Sequence, residues 1–236
     1  MSDDPKSPEF QVRRAEARKL LDAIDPHMKE GGEAADPRRK AWFDAVYDKA
    51  GGDAAGVPWA SLAPHRLTAE WIGAQRDALA GLAVLDVGCG LGDNAEAFAT
   101  AGARVAAFDL AEKAIDWAKR RFPDSRVDYR AADLFDLPAD WRGAFDLVHE
   151  CYTLQALPAA LHAPAFAALA ACLKPKGELL VVARARDEAE TLQGPPWPLP
   201  PSAFDIARAT GLRLISLEDI PARDGMVRHW RAVLTH

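Results

Sequence analysis

The reading of this chain turns on Leu85-Asp86-Val87-Gly88-Cys89-Gly90-Leu91-Gly92-Asp93-Asn94-Ala95, "LDVGCGLGDNA". Three glycines stand at alternate positions, after the apolar run 82–87 and before a run with helical periodicity. Glycine where a strand turns into a helix removes the side chains that would hold a ligand away from the backbone. The helix that follows offers unpaired N–H groups and the positive end of its dipole. Such a turn, opening the first strand–helix–strand unit, is read as a nucleotide-type ligand site.

Outward from the turn, strands alternate with helices. Strands are expected at 82–88, 104–110, 127–133, 145–151 and 177–185, with helices at 93–103, 111–122 and 158–174. That alternation predicts an α/β fold with a parallel sheet joined by right-handed crossovers. The final runs 212–220 and 228–236 also read as strands. The short connection through Pro221 and Gly225 leaves no room for a helical crossover, so these two should pair antiparallel. Three helices precede the sheet, at 6–24, 36–52 and 65–79. Ser7 is placed to cap the first, with Pro8 and Glu9 in its first turn. Asp36 and Pro37 should start the second, and Gly51-Gly52 should stop it. The chain divides into an N-terminal helical extension or lid, 1–80, and a core, 81–236.

Composition narrows the function. The 236 residues carry a net charge of −6, which gives no support for nucleic-acid binding. The basic runs 38–44 and 119–122 lie in helical patterns and read as solvated faces. Cys89, Cys151 and Cys172 are widely spaced and the six histidines are scattered. That argues against a disulfide framework and against a metal site. The polar N-terminus lacks a signal-peptide apolar region, and no run of about 20 apolar residues is present to span a bilayer. A cytoplasmic enzyme is expected, with no nucleic-acid or membrane partner.

Two further carboxylates stand at strand ends beside the turn. Asp109 closes the second strand, where a ribose would present its hydroxyls. Asp133 follows the third, where an adenine amino group would find an acceptor. With these residues the sequence resembles the class I S-adenosylmethionine-dependent methyltransferases. Asp86-Val-Gly-Cys-Gly-Leu-Gly92 is similar to the family's first motif, Asp109 to its ribose-binding acid, and Asp133-Leu134 to its adenine-contacting pair. Phe145–Leu157 and Leu173–Val182 are similar to its fourth and fifth strands. The N-terminal segment around Tyr47 and Trp59 is loosely similar to the lid of thiopurine and thiol methyltransferases. A dinucleotide dehydrogenase is the rival, but Asp93 stands where its fingerprint needs glycine or alanine, and would repel a pyrophosphate.

The resemblance implies a seven-stranded Rossmann-like sheet, mostly parallel with an antiparallel last strand, with helices on both faces. It implies S-adenosyl-L-methionine as cofactor and S-adenosyl-L-homocysteine as product. Gly88, Cys89, Gly90, Leu91 and Gly92 would contact the methionine portion, with Asp86 ordering the turn. Asp109 and Leu110 would hold the ribose and adenine, and Asp133 and Leu134 would clamp the base. Glu150 and Cys151 would lie beside the cofactor, and Tyr47 and Trp59 would close over the sulfonium. Tyr152 and Gln155 are the acceptor-site candidates, and Trp197, in a proline-rich insertion, is expected to line the acceptor pocket. His149, inside the fourth strand, reads as a buried structural histidine. The favoured acceptor is a small molecule, a thiol ahead of others because thiols ionise near neutral pH. Oxygen or nitrogen acceptors, including protein side chains, and a non-catalytic cofactor-binding regulator are the alternatives.

Overall fold

The computed structural model describes residues 4–25, 36–190 and 195–236. Met1–Asp3 of the polar N-terminus and residues 192–194 of the proline-rich insertion therefore lie outside the described residues. The elements are α1 (Pro8–Ile24), α2 (Lys40–Ala50), α3 (Arg66–Leu79), β1 (Ala83–Val87), α4 (Asp93–Thr100), β2 (Arg104–Asp109), α5 (Glu112–Arg121) and β3 (Asp128–Ala131). They continue with β4 (Phe145–Cys151), α6 (His162–Cys172), β5 (Leu173–Arg184), α7 (Ala203–Ala209), β6 (Arg213–Ile220) and β7 (His229–Thr235). The strands form one sheet in the order β3-β2-β1-β4-β5-β7-β6. β1 to β5 run parallel, and β7 lies antiparallel between β5 and β6. Strand order reverses between β1 and β4, which puts the carboxyl end of β1, and the glycine turn, at the switch point where open α/β sheets bind ligands.

Of the two helix starts expected from capping residues, one holds and one shifts. Ser7 Oγ accepts from Phe10 N–H at 3.2 Å, as its position predicts. The second helix starts at Lys40 rather than at Pro37. Arg39 takes a left-handed backbone, φ 56°, and its guanidinium turns inward to a buried ion pair with Asp25 and stacks 3.9 Å from the Trp42 ring. Asp36 still serves the helix, accepting from Lys40 N–H and Ala41 N–H at 3.1 Å each. The expectation that residues 38–44 form a solvated basic face is therefore corrected. Arg39 is buried, and Arg38 is paired to Asp133 across the molecule. The 158–174 helix is also shorter than expected. A 3₁₀ turn occupies Ala159–Leu161, and β5 begins at Leu173. The Lys174–Gly177 stretch is absorbed as an irregularity between the Phe145–Leu173 and Leu147–Glu178 pairs.

Three apolar clusters set the layers. One face of the sheet packs Leu85, Val148 and Val181 against Phe166, Leu169 and Phe204 of α6 and α7. The other packs Val84, Leu147 and Leu180 against Leu79, Phe98 and Ile115 of α3, α4 and α5. The third joins Phe10, Trp42, Val46 and Tyr47 of α1 and α2 to Leu91 and to Ala111, Ala114 and Trp117 around α5. Phe10, Trp42, Val46 and Tyr47 are thus covered by the core that carries the turn, while Val12, Leu20 and Ile24 on the outer face of α1 stay exposed.

Two of the three motif glycines are fixed by packing within the protein. A Cβ on Gly88 would lie 2.3 Å from Thr153 Oγ1, and one on Gly92 would lie 2.4 Å from Tyr129 Oη with φ at +90°. Gly92→Ala should therefore lose about 1–3 kcal/mol of stability from left-handed strain and overlap. Urea denaturation of the two proteins checks this, and an unchanged midpoint would show that Tyr129 moves aside freely.

Candidate active site

The carboxyl ends of β1, β2, β3 and β4 open onto a cavity of about 330 Å³. Gly88, Cys89, Gly90 and Leu91 form one wall, with Asp109 and Leu110 from the end of β2. Asp133 and Leu134 continue it beyond β3, and Cys151, Tyr152 and Gln155 line it beyond β4. Tyr47 and Trp59 enter from the N-terminal segment. Asp133 and Tyr152 are separated by three strand spacings, roughly 14 Å at about 4.8 Å per strand.

Four of the sequence candidates are not on the wall. Asp86 is buried and its Oδ1 accepts from His149 Nδ1–H at 2.7 Å. A carboxylate only accepts, so His149 Nε2 is left to accept from Thr68 Oγ1 at 3.0 Å. His149 is thus the structural residue expected, and Asp86 lies beneath the turn. Glu150 is fully buried and accepts from Thr153 N–H and Leu154 N–H at 2.9 and 3.1 Å. Gly92 is covered by Tyr129 and starts α4. Trp197 is half-buried, its N–H donating to the Gln155 carbonyl at 2.7 Å, and the neighbouring Pro195 and Pro196 line the cavity in its place.

Asp109 organises the turn. Its carboxylate accepts from Gly90 N–H at 3.0 Å and from Ala111 N–H at 2.9 Å. Burial pushes its carboxyl up to about 6, against the opposing pull of the two N–H groups. Each carboxylate oxygen has a second lone pair, so acceptor capacity remains towards the cavity. Asp93 is held by Arg121, which also donates to the Leu91 carbonyl at 2.6 Å. At the β3 end, Asp133 accepts from Phe135 N–H at 2.9 Å and pairs with Arg38, whose guanidinium sits 5.1 Å from the Phe135 ring centroid.

Two buried oxygens, Asp86 Oδ2 and Glu150 Oε1, have no hydrogen-bond partner among the described residues. They flank the cavity-lining Gly88 and Cys151 in sequence and give this region unmet acceptor capacity, which suits a ligand bearing an ammonium group. Burial raises the Glu150 carboxyl to about 8, with the Leu154 and Thr153 N–H groups opposing.

The histidines that sequence reading left scattered converge here. His65 Nε2 lies 3.0 Å from Tyr152 Oη, and His229 Nε2 lies 2.6 Å from the same oxygen. His65 caps α3 and His229 opens β7, so 164 residues of chain separate two groups on one hydroxyl. Burial, reinforced by His229, depresses His65 to about 3, and burial also lowers His229. Burial raises Tyr152 to about 12, while the nearby Arg184 charge opposes this. Burial likewise raises the Cys151 thiol well above its usual range, which removes it as a thiolate nucleophile.

Residues 84–177 match the family model described as a methyltransferase domain. That segment is a methyltransferase domain, and the seven-stranded sheet around it has the fold of the class I S-adenosylmethionine-dependent methyltransferases. A ubiquinone biosynthesis O-methyltransferase of Xanthomonas campestris pv. campestris is 39% identical over 142 residues, 59% of this chain and 54% of that protein. The chain therefore spans about half the length of this curated relative. The Burkholderia thailandensis 1,6-didemethyltoxoflavin-N1-methyltransferase, solved with 1,6-didemethyltoxoflavin and S-adenosylhomocysteine, superposes with TM-score 0.65 at 20% identity, covering 84% of this chain and 87% of that one. The magnesium protoporphyrin IX methyltransferase of Synechocystis PCC 6803, with bound S-adenosylmethionine, gives 0.57 at 18%, covering 93% and 96%. At these identities the solved structures speak for the fold of the methyltransferase, not for its acceptor.

The raised Glu150 carboxyl gives a testable pH dependence. A group whose folded pKa lies above its unfolded value contributes stability that is complete below about 4.5 and lost as pH rises through about 8. Without ligand, wild type should weaken over that window relative to Glu150→Gln, which keeps the acceptor for Leu154 N–H and cannot ionise. Urea titrations at about pH 5, 7 and 9 measure the difference. Parallel curves for the two proteins would mean that Glu150 is ionised throughout.

Proposed function

We propose that this methyltransferase transfers a methyl group to a hydroxyl oxygen of a small molecule. The carrying observation is the polar end of the cavity, where Tyr152 is held between His65 and His229 beside Arg184. The relative named as an O-methyltransferase supports the same class of acceptor. Preference for a thiol rested on its easy ionisation. A thiol needs no array of this kind, whereas a hydroxyl must lose its proton to something. Three free cysteines accord with a reducing, cytoplasmic setting.

In this reading S-adenosylmethionine, when bound, supplies a methyl group on a positively charged sulfur. The protein's part is to align and to exclude water. Asp109 holds the ribose hydroxyls with its remaining lone pairs. Asp133, Leu134 and Leu110 border the adenine, and Gly90 lets the methionine portion lie against backbone. Asp86, buried beneath the turn, favours the cationic ammonium end from behind the wall. Gln155 is a positioning residue, since its Oε1 accepts from Arg184 N–H at 2.7 Å and fixes that segment of β5.

Within the expected 1–80 extension, α1, α2 and the segment to Trp59 act as the lid, while α3 packs in the sheet layer. Trp59 Nε1–H donates to Tyr47 Oη at 3.2 Å, and both groups lie within 4 Å of where a Gly90 Cβ would stand. Trp42 and Phe43 pack edge-on or tilted against Trp59, giving an aromatic wall that favours a cationic sulfur. The Arg38–Asp133 pair fastens the same segment at the β3 end.

Three measurements test the reading. Incubation with methyl-labelled S-adenosylmethionine and a metabolite extract should place label in a small molecule as a methyl ether; label in protein alone would overturn it. Asp109→Ala should weaken S-adenosylhomocysteine binding at least about tenfold, since hydrogen bonds to a charged group contribute about 1.5–3 kcal/mol each. Calorimetry reads this, and an unchanged affinity would leave Asp109 as a turn-holding residue only. S-adenosylhomocysteine should change tryptophan fluorescence in wild type and much less in Trp59→Phe; equal changes would remove Trp59 from the lid.

A further inference from the structure

The hydrogen-bond partners of His65 and His229 fix the direction of every proton around Tyr152. Leu67 N–H donates to His65 Nδ1 at 3.3 Å, so that nitrogen carries no proton and Nε2 is the N–H. His229 Nδ1 faces the Val227 carbonyl, which can only accept, so Nδ1 is the N–H and Nε2 holds a lone pair. Tyr152 Oη therefore receives from His65 and gives its own proton to His229, with the Arg184 guanidinium a further donor beside it. Towards the cavity the phenol oxygen can then only accept. A bound acceptor must present a hydrogen-bond donor to it.

The backbone is arranged to hold this geometry. Tyr152 sits at φ 73°, a conformation unfavourable for a bulky residue, immediately after β4. Its ring stacks on His229 at 5.7 Å and 20°, and meets His65 edge-on at 5.1 Å. The Arg184 guanidinium lies 5.6 Å from the Tyr152 ring centroid. Among the described residues Arg184 has no carboxylate partner, and its buried Nε is unsatisfied. Of the other arginines on the cavity wall, Arg39 is committed to Asp25 and Arg38 to Asp133, while Arg18 lies on the α1 side. The groups that bear on His229 are Tyr152 beyond β4, His65 before α3 and Arg184 of β5. Arg228 beside it on the chain is held by Asp187 and Asp219.

We propose that Tyr152 and His229 form the proton exit for the methyl acceptor, with Tyr152 as the catalytic base and His229 as the residue that acts through it. The inference rests on the oxygen-acceptor reading above. The acceptor's O–H bond breaks towards Tyr152 Oη as the Tyr152 proton passes to His229 Nε2. The freed oxygen pair forms the new bond to the methyl carbon, and sulfur keeps the electron pair of the bond that breaks. His229 leaves the step as an imidazolium and returns its proton to solvent on product release. Arg184 offsets the negative charge that develops on oxygen during the transfer. Both histidines must be neutral beforehand, and their lowered pKa values meet that condition. A proton path of this kind serves a weakly acidic hydroxyl and is superfluous for one already ionised.

Two experiments on the full chain test the proposal. Nitrogen-15 NMR of histidine-labelled protein at neutral pH should find His65 protonated on Nε2 and His229 on Nδ1; a His229 proton on Nε2 would overturn it. Transfer from labelled S-adenosylmethionine is then measured with ring-substituted phenols of graded acidity, from phenol to 4-nitrophenol. Tyr152→Phe should lower kcat/KM for unsubstituted phenol by about 10²–10⁴-fold. The loss should shrink towards none for 4-nitrophenol and on raising the pH, with S-adenosylhomocysteine affinity unchanged. His229→Gln should follow the same gradient. A loss uniform across the series would overturn the proton exit and leave the oxygen reading standing. Wild type that binds S-adenosylhomocysteine yet methylates no phenol, ionised or not, would overturn the oxygen reading and the proton exit with it.

Discussion

A single buried carboxylate sets the geometry on which the site depends. Asp109, at the end of β2, accepts from Gly90 N–H in the turn after β1 and from Ala111 N–H just before α5. Those bonds tie the glycine turn to the neighbouring strand–helix unit and decide how far the turn backbone stands from the cavity. The tie is expensive in solvation, which is why the Asp109 carboxyl is raised to about 6. A ligand that brings hydroxyl donors to the remaining lone pairs would stabilise the ionised form. The desolvation cost at Asp109 and the affinity for such a ligand are then two sides of one interaction.

The N-terminal helices complete this arrangement rather than hang beside it. Phe10, Trp42, Val46 and Tyr47 share one apolar cluster with Leu91 of the turn and with Ala111, Ala114 and Trp117 around α5. The elements that bring Tyr47 and Trp59 to Gly90 are therefore anchored on the unit that Asp109 positions. Pairing of Arg38 with Asp133 and of Arg39 with Asp25 places two cations that look like solvated surface in the sequence at the closing edge of the cavity.

Legibility in the sequence followed the range of the interaction. Strand and helix periodicity, the Ser7 cap, the antiparallel final pair and the clustering of Gly90, Asp109 and Asp133 at strand ends are local or follow from strand order, and all could be read. The Arg39 left-handed turn could not, because its cause is Asp25 and Trp42, contacts made only after folding. Gly88 and Gly92 look like ligand-facing glycines in the motif, yet Thr153 and Tyr129 fill the space beside them, and those neighbours lie 65 and 37 residues away. His65 and His229 carried no motif at all. Their meaning arises from one hydroxyl that β4 delivers between them.

The distribution of these residues separates two tasks. The matched methyltransferase region, 84–177, contains the turn, Asp109, Asp133 and Tyr152. His65, His229, Arg184, Tyr47 and Trp59 all lie outside it. Residues that hold a common cofactor can sit on the parallel strands, where hydrogen-bond register fixes their spacing in every copy of the fold. Around Tyr152, which follows β4, the groups that complete the polar end reach across from the start of α3, from β5 and from β7. Each of those contributions can change without disturbing Asp109 and its turn. One fold can therefore keep its methyl donor while the partners of Tyr152 are set by side chains that no motif in the parallel half records.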